Sequence, residues 1–409
     1  MSTQLDSTQL DRTLDGPQAS GVRAVPEPFN RVLPEGEGRL VMHVFPSFAV
    51  GGAQVRFAAL ANRFRSRWRH VVVSLDGNAG CAARIGPKVP FALLDPPRGG
   101  GGPLGNLWRI QALLRRLRPD VLVTGNWGSI DWAIAAHAVP GLRHLHIEDG
   151  FGPEEAHTQF RRRVLARRVA LRGSTVVLPS LTLLRLARDV WRLDPARLRY
   201  VPNGLDLNRF RPDGPTAPFN LPPINPALDG PIIGTVAALR PEKALDRLLR
   251  AGALLARRRL GFRLVLVGDG PDRARLEALA AELGIAAQTT FAGHQPDPAA
   301  AYRAFDIFAL SSATEQMPFS VLEAMATGLP VVATDVGDVA AMLAPENLPF
   351  VTPLEDAAYA DALARLVEDA GRGRVVGAAN RTRAVLDFSE ETMFQTYAAL
   401  IEGTRPDTA

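Results

Sequence analysis

Glu315 and Glu323 stand eight residues apart in TEQMPFSVLEAMATG, across a proline and into an apolar segment. Carboxylates accept paired hydrogen bonds from hydroxyls, so one in a loop and one a turn into a helix suit recognition of sugar or ribose diols. Pro318 and Ser320 suit a helix start, and Gly328-Leu329-Pro330 suits its stop. Backbone N–H groups around Phe319 and Ser320 are then free to meet a phosphate oxygen. Further upstream, Arg240 and Lys243 lie in ALRPEKALDRLL, between an apolar run and a helical one. Only Lys88 and Lys243 are lysines, against forty-five arginines. A compact ammonium beside a guanidinium fork suits a diphosphate, although two such cations can equally be solvated at a loop. In VMHVFPSFAVGGAQ, Gly51 and Gly52 separate a strand from a helix, where glycine lets the backbone approach a phosphate. A Gly-Gly turn before a helix is also commonplace.

A second concentration of chemistry lies in RHLHIEDGFGPEEAHTQFRRR. Glu148, Asp149, Glu154, Glu155 and His157 surround a glycine turn at the end of an apolar run, where one could act as a base toward an acceptor hydroxyl. Their spacing matches no metal-ligand pattern, and no metal is expected. Asn126 and Trp127 in TGNWGSIDWA lie beyond another strand end and are candidates for the acceptor side. Trp132 reads as core.

These groups need a scaffold of some size. At 409 residues, with 46% hydrophobic and 22% charged residues, the chain suits two globular domains. Residues 1–38 read as a polar tail without the apolar segment of a signal peptide. No run of apolar residues is long enough to span a membrane. The single cysteine, Cys81, fits a reducing compartment, and the expected location is cytoplasmic.

Apolar runs alternate with helical stretches. LVMHVFPSF, HVVVSL, VPFALL, DVLVTG, RHLHI and STVVLPS are strands buried on both faces, hence a parallel sheet. A proline-rich break follows, and then PIIGTVAAL, FRLVLVGDG, TTFAGH, IFALSS and VVATDVG repeat the pattern. Two doubly wound α/β domains result, spanning 39–212 and 231–386, with a linker at 213–230. The last stretch, 387–409, is a helix that packs back on the first domain. Up to residue 210 there are 29 basic and 17 acidic residues, and beyond it 18 and 25. The basic first half suggests an anionic partner. FRRRVLARRVALR has an apolar side, which suits an anionic membrane surface, whereas nucleic acid is not expected because no binding module accompanies the arginines. A solvated arginine face explains the same residues.

TEQMPFSVLEAMATGLPVVATDVGD resembles the Glu-x7-Glu signature of the retaining glycosyltransferases of family 4, which have the GT-B fold. FAVGGAQ, VPNGLDLNRFRP, RPEKALDRLL, LVGDGPDRARLEALAAELG, TFAGH and DFSEETMFQTY extend the resemblance over roughly residues 40 to 400. It implies two Rossmann-like domains facing across a cleft and transfer of a sugar from a nucleotide sugar to a glycan or lipid-linked acceptor. It further implies diphosphate binding by Arg240 and Lys243, ribose binding by Glu323 and hexose binding by Glu315. Gly293 and His294 would lie against the base, and Gly51, Gly52 and the Met317-Pro318-Phe319-Ser320 turn against the phosphates. No Asp-x-Asp triad occurs, which agrees with chemistry that needs no metal cofactor. A place in envelope or exopolysaccharide assembly, at the inner membrane face, fits the basic half. The alternative is a GT-B scaffold that binds nucleotide without turnover. Two departures stand out: Gln316-Met317 replaces the usual glycine after the first glutamate, leaving the donor open. The family's N-domain histidine falls on His146 if the strand is aligned, which is preferred, or on Asp149 if the following Gly-Phe is aligned. Glu148 and Glu154 remain acceptor-side candidates.

Overall fold

The computed structural model describes residues 33–404 apart from 98, 151–158, 218, 220, 222, 224 and 296. The buried runs of the first half form β1 (Arg39–Phe45), β2 (Trp68–Ser74), β3 (Phe91–Leu94), β4 (Val121–Gly125), β5 (Arg143–Ile147), β6 (Thr175–Leu178) and β7 (Leu198–Tyr200). They pair in parallel in the order β3-β2-β1-β4-β5-β6-β7. Between them run α1 (Gly52–Phe64), α2 (Gly102–Leu117), α3 (Ile130–Ala136), α4 (Arg161–Ala170) and α5 (Leu181–Asp189).

The second half repeats the plan with β8 (Ile232–Val236), β9 (Arg263–Val267), β10 (Thr289–Gly293), β11 (Ile307–Leu310), β12 (Val331–Thr334) and β13 (Val351–Thr352). Their order is β10-β9-β8-β11-β12-β13, again parallel. Its helices are α6 (Leu245–Arg257), α7 (Arg273–Glu282), α8 (Ala299–Arg303), α9 (Phe319–Thr327), α10 (Val339–Met342), α11 (Asp356–Glu368) and α12 (Ala370–Asp387). A last helix, α13 (Glu390–Glu402), follows. Thus the chain has the GT-B architecture of two Rossmann-like sheets. Strands β7 and β13, of three and two residues, are edges too short to carry a periodic signal.

Side-chain alternation assigns the faces of the first sheet. Val41, Val123, Leu145 and Val177 point to one layer, where α13 contributes Met393, Phe394, Tyr397 and Ile401. Met42, Val44 and Leu122 point to the other, among residues of α2 and α3. Each fully buried side chain of this size contributes about 1.5–3 kcal/mol, so α13 is held by its apolar face. Its ion pairs, Arg63 with Glu391 and Arg67 with Glu402, are solvent-exposed and add little. The chain therefore crosses between the halves twice. At the crossing, Leu205 N–H donates to the Phe388 carbonyl at 2.9 Å and Glu390 N–H to the Leu205 carbonyl at 3.1 Å.

One contact ties the halves across the open side. The buried Asp338, after β12, accepts hydrogen bonds from the N–H groups of Leu181 and, at 2.9 Å, Thr182, at the start of α5. A carboxylate there also complements the helix dipole. In each sheet the strand order reverses between the first strand and the fourth, and ligand crevices open beyond such reversals. Among the described residues no helix is long and apolar enough to cross a membrane.

Candidate functional site

The crevices beyond β1/β4 and β8/β11 face each other and form one cleft of about 920 Å³. On the second-domain wall, Lys243 Nζ lies 2.6 Å from Glu315 Oε1, and Ser312 Oγ donates to the same oxygen at 2.7 Å. Both bonds fall on Oε1, which leaves Oε2 of Glu315 for a ligand. The lysine side chain is 26% exposed and the glutamate 11%, so their charges meet in a partly desolvated place.

Glu323 is fixed from below. Tyr302, a buried residue of α8, donates its hydroxyl to Glu323 Oε2 at 2.6 Å. Burial pushes the Glu323 carboxyl up to about 7, with the Tyr302 bond acting in the opposite direction. The carboxylate therefore titrates near neutrality, with one oxygen still available. Between the two glutamates, the first turn of α9 places Phe319 and Ser320 on the cleft. Their N–H groups have no intrahelical acceptor, so they form an anion-binding end. The loop before α9 is clamped by Gly337, at φ 58°, because a Cβ there would overlap the Glu315 carbonyl oxygen. Met317 is buried beneath the cleft, where its sulfur accepts the Asn203 N–H at 3.3 Å. Gln316 lines the cleft opposite Gly150, and its Oε1 is buried without a partner among the described residues. His294 and Gln295 line the far end. Gly293, at φ 71°, turns the chain toward them and gives its carbonyl to Gly268 N–H.

The first-domain wall is made by Gly52, Arg56, Asn126, Asp149 and neighbours. Gly52 approaches the Phe319 ring, while Gly51 caps α1 and accepts the Val55 N–H. Arg56 Nη2 donates to Asp149 Oδ1 at 2.7 Å and Oδ2 at 3.0 Å, and Nη1 donates to Asn203 Oδ1 at 2.8 Å. Asn126 has φ 56° and ψ 177°, a conformation nearly confined to glycine, and its Oδ1 accepts the Asp149 N–H at 2.8 Å. Backbone strain of this kind costs about 1–3 kcal/mol and clusters at functional sites.

Gly51 and Gly293 stand next to lining residues without lining the cleft themselves, and four other expected site residues lie elsewhere. His146 is completely buried inside β5, bonded to Thr124 Oγ1 at 2.8 Å and 3.4 Å from Glu148 Oε2. His146 lies inside the strand and is packed within the domain, whereas Asp149 lies two residues past the strand end at Ile147 and lines the cleft. Of the two alternatives, the preferred His146 is thus away from the cleft and Asp149 is the one on it. Glu148 is also buried, pairing with Arg167, and takes no place on the wall. Trp127 lies under Arg163 and Arg167, at 5.2 and 5.1 Å, instead of lining the cleft. Arg240 is exposed and outside the cleft. The short turn Pro241–Lys243 buries Leu239 and aims Arg240 outward, so Ala238 takes the lining position and Lys243 is the cation on that wall. Glu154 falls outside the described residues.

Arg56, Gln54 and Asn203 are wall residues not singled out from the sequence. A lone arginine among the apolar residues of AQVRFAAL was the available signal for Arg56. Asn203 acts through contacts 147 and 114 residues away, which no local pattern reveals. The basic run of α4 divides: Arg161, Arg162 and Arg168 are exposed, while Arg167 is buried. None of these arginines lines the cleft. Among the described residues, no group of three or more His, Cys, Asp or Glu is placed to hold a metal ion.

Two family models match the chain: "Glycosyltransferase Family 4" over residues 50–209 and "Glycosyl transferases group 1" over residues 219–383. D-inositol 3-phosphate glycosyltransferase of Nocardia farcinica is 32% identical over 277 residues, 65% of this chain and 59% of that protein. The protein of the same name from Rhodococcus opacus is 34% identical over 301 residues, 70% and 64% respectively. The matched stretches thus span under two thirds of these relatives. Among solved structures, HepE of Anabaena in complex with UDP superposes with a TM-score of 0.73 at 18% identity, covering 90% of this chain and all of that one. Sucrose-phosphate synthase of Thermosynechococcus elongatus gives a TM-score of 0.70 at 20% identity, covering 89% and 98%.

Proposed function

From its membership of the GT-B glycosyltransferases of family 4, to which this chain belongs, we propose that it transfers a sugar from a nucleotide sugar to an acceptor hydroxyl with retention at the anomeric carbon. The observation that carries this reading is the arrangement of one cleft wall. Lys243, Glu315, Glu323 and the open end of α9 converge there, across from Asp149. Glu323 receives the ribose hydroxyls and Glu315 the hexose hydroxyls. The α9 end and Lys243 hold the diphosphate, and both gain strength as negative charge grows on the departing nucleotide. No metal is assigned a role. Solved relatives of this fold hold UDP and UDP-glucose, which makes uridine the first base to test.

The reading extends to the inner face of the membrane. Phe160, Leu165 and Val169 on and beside α4 are 42%, 62% and 60% exposed, among Arg161, Arg162 and Arg168. An apolar strip within arginines favours an anionic lipid surface, in keeping with glycan assembly for the envelope or an exopolysaccharide.

The deciding experiment is a thermal-shift panel of UDP-, GDP- and ADP-sugars with their free nucleotides, followed by an assay of nucleotide release with and without candidate acceptors. Ligand at a hundred times its dissociation constant stabilises the protein by about 2.7 kcal/mol. A base-selective shift and acceptor-dependent release support transfer. A shift without release under any acceptor supports a nucleotide-binding scaffold instead.

A further inference from the structure

The chemistry of the first-domain wall defines what can meet the donor. That wall carries one cation among the described residues, Arg56, and the charge is already spent. Both oxygens of Asp149 sit on its Nη2, and Asn203 holds its Nη1. The guanidinium side chain is only 7% exposed and that of Asp149 21%, so the pair presents its carboxylate edge to the cleft. Each Asp149 oxygen keeps a lone pair for a hydroxyl. Beside it, Asn126 uses its Oδ1 on the Asp149 N–H, which leaves its amide Nδ2 as a donor. Gln54 gives its Nε2 to the Ser47 carbonyl at 2.8 Å and keeps its oxygen as an acceptor. The strained backbone of Asn126 is a second, independent mark that this corner is built for a ligand.

Resting on the transfer reading, we propose that the acceptor group entering this cleft is an uncharged polyol, a sugar or cyclitol ring without phosphate, gripped by Asp149 and Asn126. Asp149 neutralises Arg56 and turns a phosphate-binding cation into a hydroxyl-binding edge. A phosphorylated acceptor would meet that carboxylate with no free cation on its own wall, and like charges so juxtaposed are strongly disfavoured. The relatives named for D-inositol 3-phosphate are thereby set apart from this chain in acceptor class. The basic surface of α4 lies outside the cleft and has no part in this choice.

The test uses the full chain loaded with whichever of UDP, GDP and ADP the thermal-shift panel selects, with ligand binding followed by calorimetry or by saturation-transfer NMR. The probes are myo-inositol, glucose, and the phosphate esters of each. Wild type is expected to bind the neutral member of each pair at least about tenfold more tightly. In Asp149→Asn, Arg56 is released and the ratio should move toward the phosphate ester by roughly tenfold or more. Arg56→Gln, a second variant, removes the cation itself and should weaken phosphate-ester binding below that of wild type. Wild-type preference for the esters, or an unchanged ratio in folded Asp149→Asn, overturns the proposal. So does failure of every neutral probe to bind while the nucleotide binds. Nucleotide binding is measured on the same samples, so a wild type that ignores UDP, GDP and ADP alike counts against the transfer reading itself and not the acceptor assignment.

Discussion

Glu323 offers a perturbation whose effects on stability and binding run in opposite directions. Its carboxyl ordinarily titrates at 4.5 and burial moves it to about 7. The folded protein therefore holds the proton more tightly than the unfolded chain does. That proton contributes stability fully below pH 4.5, and the contribution is lost as pH rises through about 7. A shift of this size is worth at most about 3 kcal/mol at 1.36 kcal/mol per unit. Glu323→Gln keeps an oxygen for the Tyr302 hydroxyl but removes the ionisation. The variant should match wild type near pH 4.5 and exceed it above pH 7.5 by up to about 3 kcal/mol. For a domain of this size that is roughly 6–12 °C in melting temperature. Calorimetric melting of both proteins from pH 4.5 to 8.5 reads this directly. UDP affinity should meanwhile fall by about 1–3 kcal/mol at pH 8, because a charged acceptor of ribose hydroxyls has become neutral. In wild type the same affinity should decline as pH drops below about 7, where the carboxylate takes up its proton. Melting curves that stay parallel across the whole range would refute the argument, since Glu323 would then titrate as an ordinary surface glutamate.

Three further outcomes are expected. Lys243→Ala should weaken nucleotide-sugar binding and lower the transfer rate together, since it removes the cation of the second-domain wall and leaves Glu315 without its charge partner; wild-type kinetics would place the diphosphate elsewhere. Asp338→Ala removes the acceptor for two N–H groups of α5, a loss of about 1–2 kcal/mol for a helix cap. Small-angle scattering should then show a larger radius of gyration without UDP, and an unchanged profile would mean that the contact does not hold the domains together. Replacing Arg161, Arg162 and Arg168 with glutamate should abolish low-salt recruitment to vesicles containing phosphatidylserine without changing UDP binding. Retained recruitment would remove α4 from the membrane surface.

The second-domain wall of the cleft was legible in the sequence because its parts are local. Glu315, Pro318, Phe319, Ser320 and Glu323 lie within nine consecutive residues, where helix start signals and carboxylate spacing can be read together. Lys243 stood out in a chain that otherwise uses arginine. Buried, unalternating runs likewise announced two parallel sheets, because a strand covered on both faces has no polar side. The order of strands and the short edges β7 and β13 were not legible, since pairing joins residues far apart in sequence.

The first-domain wall shows where sequence reading stops. His146, Glu148 and Asp149 are near neighbours of similar chemical promise, yet strand alternation and the position of the strand end bury the first two and expose the third. A one- or two-residue difference in register reverses such an outcome, and no local composition records it. Arg240 and Lys243 are separated in the same way by a single short turn. Sequence alone determined the fold class, because periodicity encodes it, and it named Lys243, Glu315 and Glu323 as candidates that the fold gathers on one wall. Only tertiary structure decided that Arg56, Asn126, Asp149 and Asn203 meet. Their contacts join the ends of different elements at distances set by the twist and register of the sheet, and those are properties of the folded chain as a whole.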